Sequence, residues 1–312
     1  MLYFLVLWGI IPFFNNNIKK RVIESGTIRI EIDGNFGGRV NQIFFKDRPL
    51  LFSSKEHEEY YGSIWWPSPQ RDWHWPPPAC IDKNPYRVAI GEDKVSMHSV
   101  PVQGSDLKLH KQIQIINDHK IRFIYTATNI GQQHKQFGHW EVTRLFKGGR
   151  LIFPAGKPFE QSAYGKLPGT LFFTHGDATA KLINEKEYCF DIPIQTTNKS
   201  IPYTEKTKLL ADAREGWAAY LNEGILLIKH FGNTPLEEIA PEQGEVELFV
   251  NPELDFIEFE QHGAYQLVKP QESSIWTVDW YIYQYPENLP DSTHNIREFI
   301  YSKVNLLSQN LD

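Results

Sequence analysis

Two carboxylates stand two residues apart near the end of the chain, in the run Leu254-Asp255-Phe256-Ile257-Glu258-Phe259-Glu260-Gln261-His262. Read as a strand, this run puts Glu258 and Glu260 on one face, with side chains ~7 Å apart. That is too far to share a proton but near enough to couple electrostatically. Either would act as a general base if a partly dehydrated site raised its pKa. A second constellation, Phe137-Gly138-His139-Trp140-Glu141-Val142-Thr143-Arg144, also reads as a strand. Alternation turns His139, Glu141 and Thr143 to one side, and Trp140, Val142 and Arg144 to the other. An imidazole beside a carboxylate suits proton transfer, although a single strand histidine is more often a packed or surface residue.

The most distinctive segment runs Gly62-Ser63-Ile64-Trp65-Trp66-Pro67-Ser68-Pro69-Gln70, followed by Trp73-His74-Trp75-Pro76-Pro77-Pro78. Proline restricts the backbone and lowers the entropy lost on ordering, so it can present aromatic rings rigidly. Indoles interleaved with Gln70, Arg71, Asp72 and His74 suit a polyhydroxylated ligand, which offers apolar C–H faces and many hydroxyls. A tryptophan-proline plug closing one end of a sandwich accounts for the same residues. Arg39 and Lys229 are the cations best placed to meet a sugar hydroxyl or carboxylate. The expected substrate-binding set is therefore Arg39, Trp65, Trp66, Gln70, Trp73, Glu141 and Lys229, beside the candidate catalytic residues Glu258, Glu260 and His139.

These residues need an antiparallel scaffold, and the sequence supplies one. Ile28, Ile30 and Ile32 alternate with Arg29 and Glu31; Leu107, Leu109, Ile113 and Ile115 share one face; Trp276, Val278, Trp280 and Ile282 repeat the pattern. Further strands are expected at Ile121–Asn129, Trp140–Phe146, Trp217–Leu221, Ile225–Phe231, Val246–Val250 and Leu254–Glu260. Period-two runs separated by Gly, Pro and Asn turns predict an all-β fold, a large antiparallel sandwich, rather than βαβ units. One helix closes the chain, capped by Ser292 or Thr293, with Ile296, Phe299, Ile300, Val304 and Leu307 at helical spacing. It is expected to pack on the outside of a sheet. The segment from Tyr60 to Pro85 breaks the alternation and reads as a long, ordered, functional loop.

Composition removes several function classes. The 312 residues carry a net charge of −6 with no long basic run, so the footprint of a nucleic-acid binder is missing. Zinc-type Cys/His spacing, a P-loop, HExxH and GxSxG are all absent, so no metal and no cofactor is expected. Two cysteines, Cys80 and Cys189, are too few for a disulfide framework; they read as free thiols, with one bridge between them as the alternative. Residues Leu2 to Phe14 are uncharged and apolar, too short to span a bilayer but of the length of a signal h-region. Residues 1–17 are thus expected to be an export signal and 24–312 one sandwich domain. A periplasmic or secreted location follows, with a cytoplasmic or membrane-associated one as the alternative and no integral membrane span.

Gly37-Gly38-Arg39-Val40, the WPSPQ segment Trp66–Gln70, Trp75-Pro76-Pro77, Trp140-Glu141-Val142-Thr143, Gly216-Trp217 and Glu258–Glu260 occur in one order. Together they resemble a bacterial domain family of unknown function placed among the galactose-mutarotase-like proteins, over roughly Ile28 to Tyr285. The resemblance implies a supersandwich whose concave face binds sugar. It also implies a late-strand Glu, here Glu258 or Glu260, as base on the anomeric hydroxyl, and His139 as acid on the ring oxygen. The His segment reads GHWEVT where such proteins carry an asparagine-histidine-aromatic pattern, and no phosphate-binding Arg cluster is present. The expected partner is a mono- or oligosaccharide. The expected activity, if the protein is an enzyme, is aldose 1-epimerase-like; the alternative is a non-catalytic glycan-binding or structural envelope module.

Overall fold

Alternating apolar residues make most of this chain extended, and its strands join into two antiparallel sheets in the computed structural model. The structure describes residues 21–101, 106–154, 156, 171–173, 180–184, 187–191, 207–251, 253–290 and 292–308. The expected signal segment lies outside them. In spatial order the first sheet is β1 (Arg21–Ser25), β2 (Ile28–Asp33), β3 (Arg39–Phe45), β5 (Ser63–Ser68), β10 (Lys135–Phe146), β19 (Phe256–His262), β18 (Val246–Val250), β15 (Thr207–Ala211) and β12 (Leu171–Phe173). Strands β4 (Arg48–Pro49) and β20 (Gln266–Val268) join it through β3 and β10. The second sheet is β13 (Ala180–Asn184), β14 (Glu187–Asp191), β11 (Arg150–Pro154), β16 (Trp217–Asn222), β17 (Ile225–His230), β21 (Ser273–Gln284), β9 (Lys120–Asn129), β8 (Leu107–Asn117), β7 (Lys94–Ser99) and β6 (Tyr86–Ile90).

The facing sides of the sheets enclose one core. Ile28, Ile30 and Ile32 enter it from the first sheet, and Leu109, Ile113, Val278, Trp280 and Ile282 from the second. All were expected inside from their period. Lys111 shares the inward face of β8, and its Nζ donates to the carbonyls of Gly37 (2.8 Å) and Gly38 (3.2 Å). Burial lowers its pKa to about 7. Those acceptors depend on glycine: at Gly37 a Cβ would lie 2.2 Å from the Asp82 carbonyl oxygen, and its φ is +68°.

Helix α2 (Thr293–Ser308) follows a short helix α1 (Ala79–Asp82) in chain order. Ser292 Oγ accepts from the Asn295 amide at 3.3 Å, so of the two expected caps Ser292 is the one that acts. Ile296, Ile300 and Val304 pack on Trp217, Leu226, Ile228 and Tyr281, covering the outer side of the second sheet as expected. The side chain of Leu307 is outside the described residues.

The tryptophan-proline segment differs from expectation. Ser63–Ser68 is a fully buried central strand, β5, and not part of a loop. It is held between β3 and β10, with Trp66 opposite Trp140 and Trp65 opposite Glu141. The irregular part begins only after Ser68, with a 3₁₀ turn at Gln70–Asp72 and α1. Cys80 is free and half-buried, as expected; the side chain of Cys189 is outside the described residues.

Candidate functional site

Strands β5, β10, β19, β18 and β15 are central neighbours in the first sheet, so each shows one face to the second sheet and the other outward. On the outer face, register brings Arg144 opposite Glu258, Val142 opposite Glu260 and Trp140 opposite His262. Glu260 in turn lies opposite Glu247, and Glu258 opposite Phe249. Above this face is a cleft of about 730 Å³. Its floor includes Trp66, Trp140, Lys208, Phe249, Phe256, Glu258 and Glu260, and its rim Tyr60, Gln70, Arg71, His74, Trp75 and Glu242.

The indoles of the floor are fixed by hydrogen bonds and edge contacts. Trp66 and Trp140 meet edge to face at 5.2 Å between centroids. Trp66 Nε1 donates to Asp82 Oδ1 at 2.9 Å, and Arg39 Nη2 bonds the same oxygen at 3.0 Å. Trp140 Nε1 donates to Glu260 Oε2 at 2.8 Å, and its ring stacks on His262. Two parts of the rim are tied together where Arg71 pairs with Glu242 at 3.2 Å.

The two glutamates have different electrostatic settings. Glu258 accepts from Arg144 Nη2 at 2.7 Å and keeps partial contact with solvent. Glu260 is almost fully buried and shares one cation, Lys208, with Glu247: Lys208 Nζ is 2.9 Å from both Glu260 oxygens and 2.6 Å from Glu247 Oε2. Carboxylates placed directly opposite on adjacent strands repel, and one ammonium satisfies only one of them. Burial favours the neutral form of both. At Glu247, Lys208 wins and the pKa is lowered; at Glu260 burial wins, assisted by the charge of Glu247, and the pKa is raised. Burial also holds His262 toward its neutral form. Glu247, Glu260 and His262 offer donor atoms within 4.8 Å of one another, a set able to hold a metal ion. The Lys208 ammonium is the cation that the two carboxylates of this set share.

Most of the chain matches a family model described as a domain of unknown function, DUF4380, over residues 68–283. The chain belongs to this family. No curated protein matches the sequence. Among solved structures, this DUF4380 protein resembles a presumed aldose 1-epimerase from Escherichia coli K12 at 13% identity and a TM-score of 0.56, covering 85% of this chain and 99% of that one. A galactose mutarotase-like protein from Lactobacillus casei ATCC 334 gives 10% identity, a TM-score of 0.54 and coverage of 85% and 100%. A galactose mutarotase related enzyme from Lactobacillus acidophilus gives 7%, 0.53, and 87% and 100%. Identities this low establish the fold, a galactose-mutarotase-like sandwich, and that alone.

Of the residues expected to act, the fold of this DUF4380 protein brings Trp66, Gln70, Glu258 and Glu260 to one cleft. The other expected site residues lie elsewhere. His139 and Glu141 are on the inward face of β10, against the second sheet. His139 Nδ1 accepts from Trp65 Nε1 at 3.0 Å, so Nε2 carries the proton toward Ser274 Oγ, also at 3.0 Å. Burial lowers its pKa to about 3, which leaves it neutral and away from the cleft. Trp65 is inside for the same reason of alternation.

Glu141 accepts from Lys229 Nζ at 2.8 Å, from Trp280 Nε1 at 3.1 Å and from the Tyr125 hydroxyl. Lys229 also donates to Thr143 Oγ1 and Gln261 Oε1. That network cross-links the sheets in the core, and none of its residues lines the cleft. Arg39 is buried behind the floor, where it orients Asp82. Trp73 stands behind the wall, its Nε1 donating to the Pro67 carbonyl at 2.7 Å, and lines a separate cavity of about 420 Å³. His74, at φ +55°, turns the chain so that Trp73 and Trp75 enter different cavities. Sequence reading missed Trp140, Arg144, Lys208, Glu247, His262, Tyr60 and Trp75. Trp140 and Arg144 were on the correct alternate face, but nothing in the period says which face meets the cleft.

Proposed function

We propose that the outer-face cleft binds a carbohydrate and that Glu258 and Glu260 perform acid–base chemistry on a free sugar within it. The observation carrying this reading is the convergence of two edge-packed indoles, Trp66 and Trp140, with two carboxyl groups on one floor, Glu258 partly open to solvent beside Arg144 and Glu260 buried beside Lys208. Trp66 and Trp140 are only 3% and 2% exposed, so they offer an apolar edge to the C–H side of a pyranose rather than an open ring face. Glu258, in contact with solvent and positioned by Arg144, takes the proton from the anomeric hydroxyl. Glu260, whose burial favours the protonated form, returns a proton to the ring oxygen. The ring opens and recloses on either face. Two carboxyl groups in different environments are a usual arrangement for splitting acid and base roles, and His139 is not needed for either step.

The ion pairs of Glu258 with Arg144 and of Glu260 with Lys208 favour a second reading, a glycan-binding module without turnover. One experiment separates the two. Free aldoses are titrated against intrinsic Trp fluorescence, and anomer exchange is followed by polarimetry in the wild type, Glu258→Gln and Glu260→Gln. The expected result is retained binding with exchange reduced about 10²–10⁴-fold in each variant. Unchanged exchange in both variants defeats the catalytic roles. Binding with no exchange in the wild type selects the module, and no binding of any aldose removes the sugar reading.

A further inference from the structure

The cleft is larger and less charged than a single-ring phosphorylated sugar would call for. Its volume of about 730 Å³ lies in the upper part of the range, roughly 300–1,000 Å³, typical of sites that enclose drug-sized ligands, well beyond one pyranose. The aromatic groups fall into two stations. The inner one is the Trp66–Trp140 pair beside Glu258 and Glu260. The outer one is Trp75, which meets Trp66 edge to face at 5.9 Å and Tyr60 tilted 37° at 6.5 Å, so it continues the inner pair toward the mouth. Trp75 is 54% exposed, the only tryptophan among the exposed large hydrophobics of the described residues. An indole left in water at the mouth of an aromatic-floored cleft forgoes the stabilisation its burial would bring. A second sugar ring stacked on it would recover that stabilisation.

Charge selects further. The two strongly basic side chains lining the cleft are committed: Arg71 to Glu242 at 3.2 Å, and Lys208 to Glu247 and Glu260 at 2.6 and 2.9 Å. Arg144, behind the floor, is held by Glu258 at 2.7 Å. A phosphate or uronate would therefore bring negative charge against Glu242, Glu258 and Glu260, and among the described lining residues every Lys and Arg already has a carboxylate partner.

We propose that this cleft takes a neutral oligosaccharide of at least two rings, the first against Trp66, Trp140 and the glutamates and the next on the Trp75–Tyr60 platform. The proposal rests on the reading of the cleft as a sugar site. It is tested by calorimetric titration of the full chain with glucose, galactose and mannose, with neutral disaccharides and trisaccharides built from each, and with glucose 6-phosphate and glucuronate. In at least one series, the disaccharide should bind at least tenfold more tightly than its monosaccharide, and the two anions more weakly than glucose. Trp75→Ala should bring the disaccharide-to-monosaccharide ratio to within about threefold, Trp75→Phe should restore most of it, and circular dichroism should match the wild type.

Monosaccharides binding as tightly as every disaccharide, a ratio indifferent to Trp75→Ala, or tightest binding of either anion would each overturn the proposal while leaving a sugar site standing. Failure of all these sugars to bind would remove both.

Discussion

Glu141 and Glu260 sit on paired strands of one sheet, both almost fully buried, yet they have opposite settings. Glu141 faces inward and is met by Lys229, Trp280 and Tyr125, so its charge is fully compensated in the core. Glu260 faces the cleft and shares its only ammonium with Glu247. The first arrangement suits a structural tie and the second a proton donor. A buried ion pair adds little against an apolar substitute, but removing one partner strands the other. Lys229→Met is therefore expected to cost about 3–5 kcal/mol in urea unfolding, and adding Glu141→Gln should recover part of it. A loss below ~1 kcal/mol would show that Glu141 is relieved in some other way.

At the scale of elements, β10 carries most of the organisation. Its inward residues tie the sheets and its outward residues make the cleft floor, so both faces are buried and neither reads as polar-out. The connections are tied with similar economy. Glu245, at the entry to β18, accepts from the amides of Thr234 (2.6 Å) and Ala213 (2.9 Å), which joins the turn before β16 to the segment after β17. Burial raises its pKa to about 8, with Asp212 adding to the rise and the two amides opposing it. A folded-state pKa above the unfolded one means stability that is complete below the unfolded value of 4.5 and is lost as pH rises through about 8. The unfolding free energy should fall across that window by an amount on the order of a few kcal/mol. Glu245→Gln should flatten the slope in a pH series of denaturant melts. An equal slope in the variant would assign the dependence to another group.

At the scale of the whole molecule, the two outer faces of the sandwich have separate uses. The first sheet bears the cleft, and part of the second is covered by α2. Ile300, only 1% exposed, anchors the helix on Trp217, Leu226 and Ile228. Ile300→Asp buries an unpaired charge there and should cost about 3 kcal/mol or more. Sugar affinity of the folded fraction should be retained, because the helix and the cleft lie on opposite sides of the core. A parallel loss of affinity and stability would indicate that the helix supports the cleft through the sheets.

The strand pattern, the capped C-terminal helix, the aromatic wealth and the shared face of Glu258 and Glu260 were legible in the chain, because each depends on spacing within a few residues. The split of β10 into a His139–Glu141 side and a Trp140–Arg144 side was legible for the same reason. Which side would meet the cleft was not, since both sides are buried and a period of two has no preferred sign. Lys208, Glu247 and His262 carried no local signal, as their meaning comes from register between β15, β18 and β19. Alternation thus determined the architecture and the pairs. The stacking of a second sheet on one face decided which pairs became core ties and which were left on the side of the cleft.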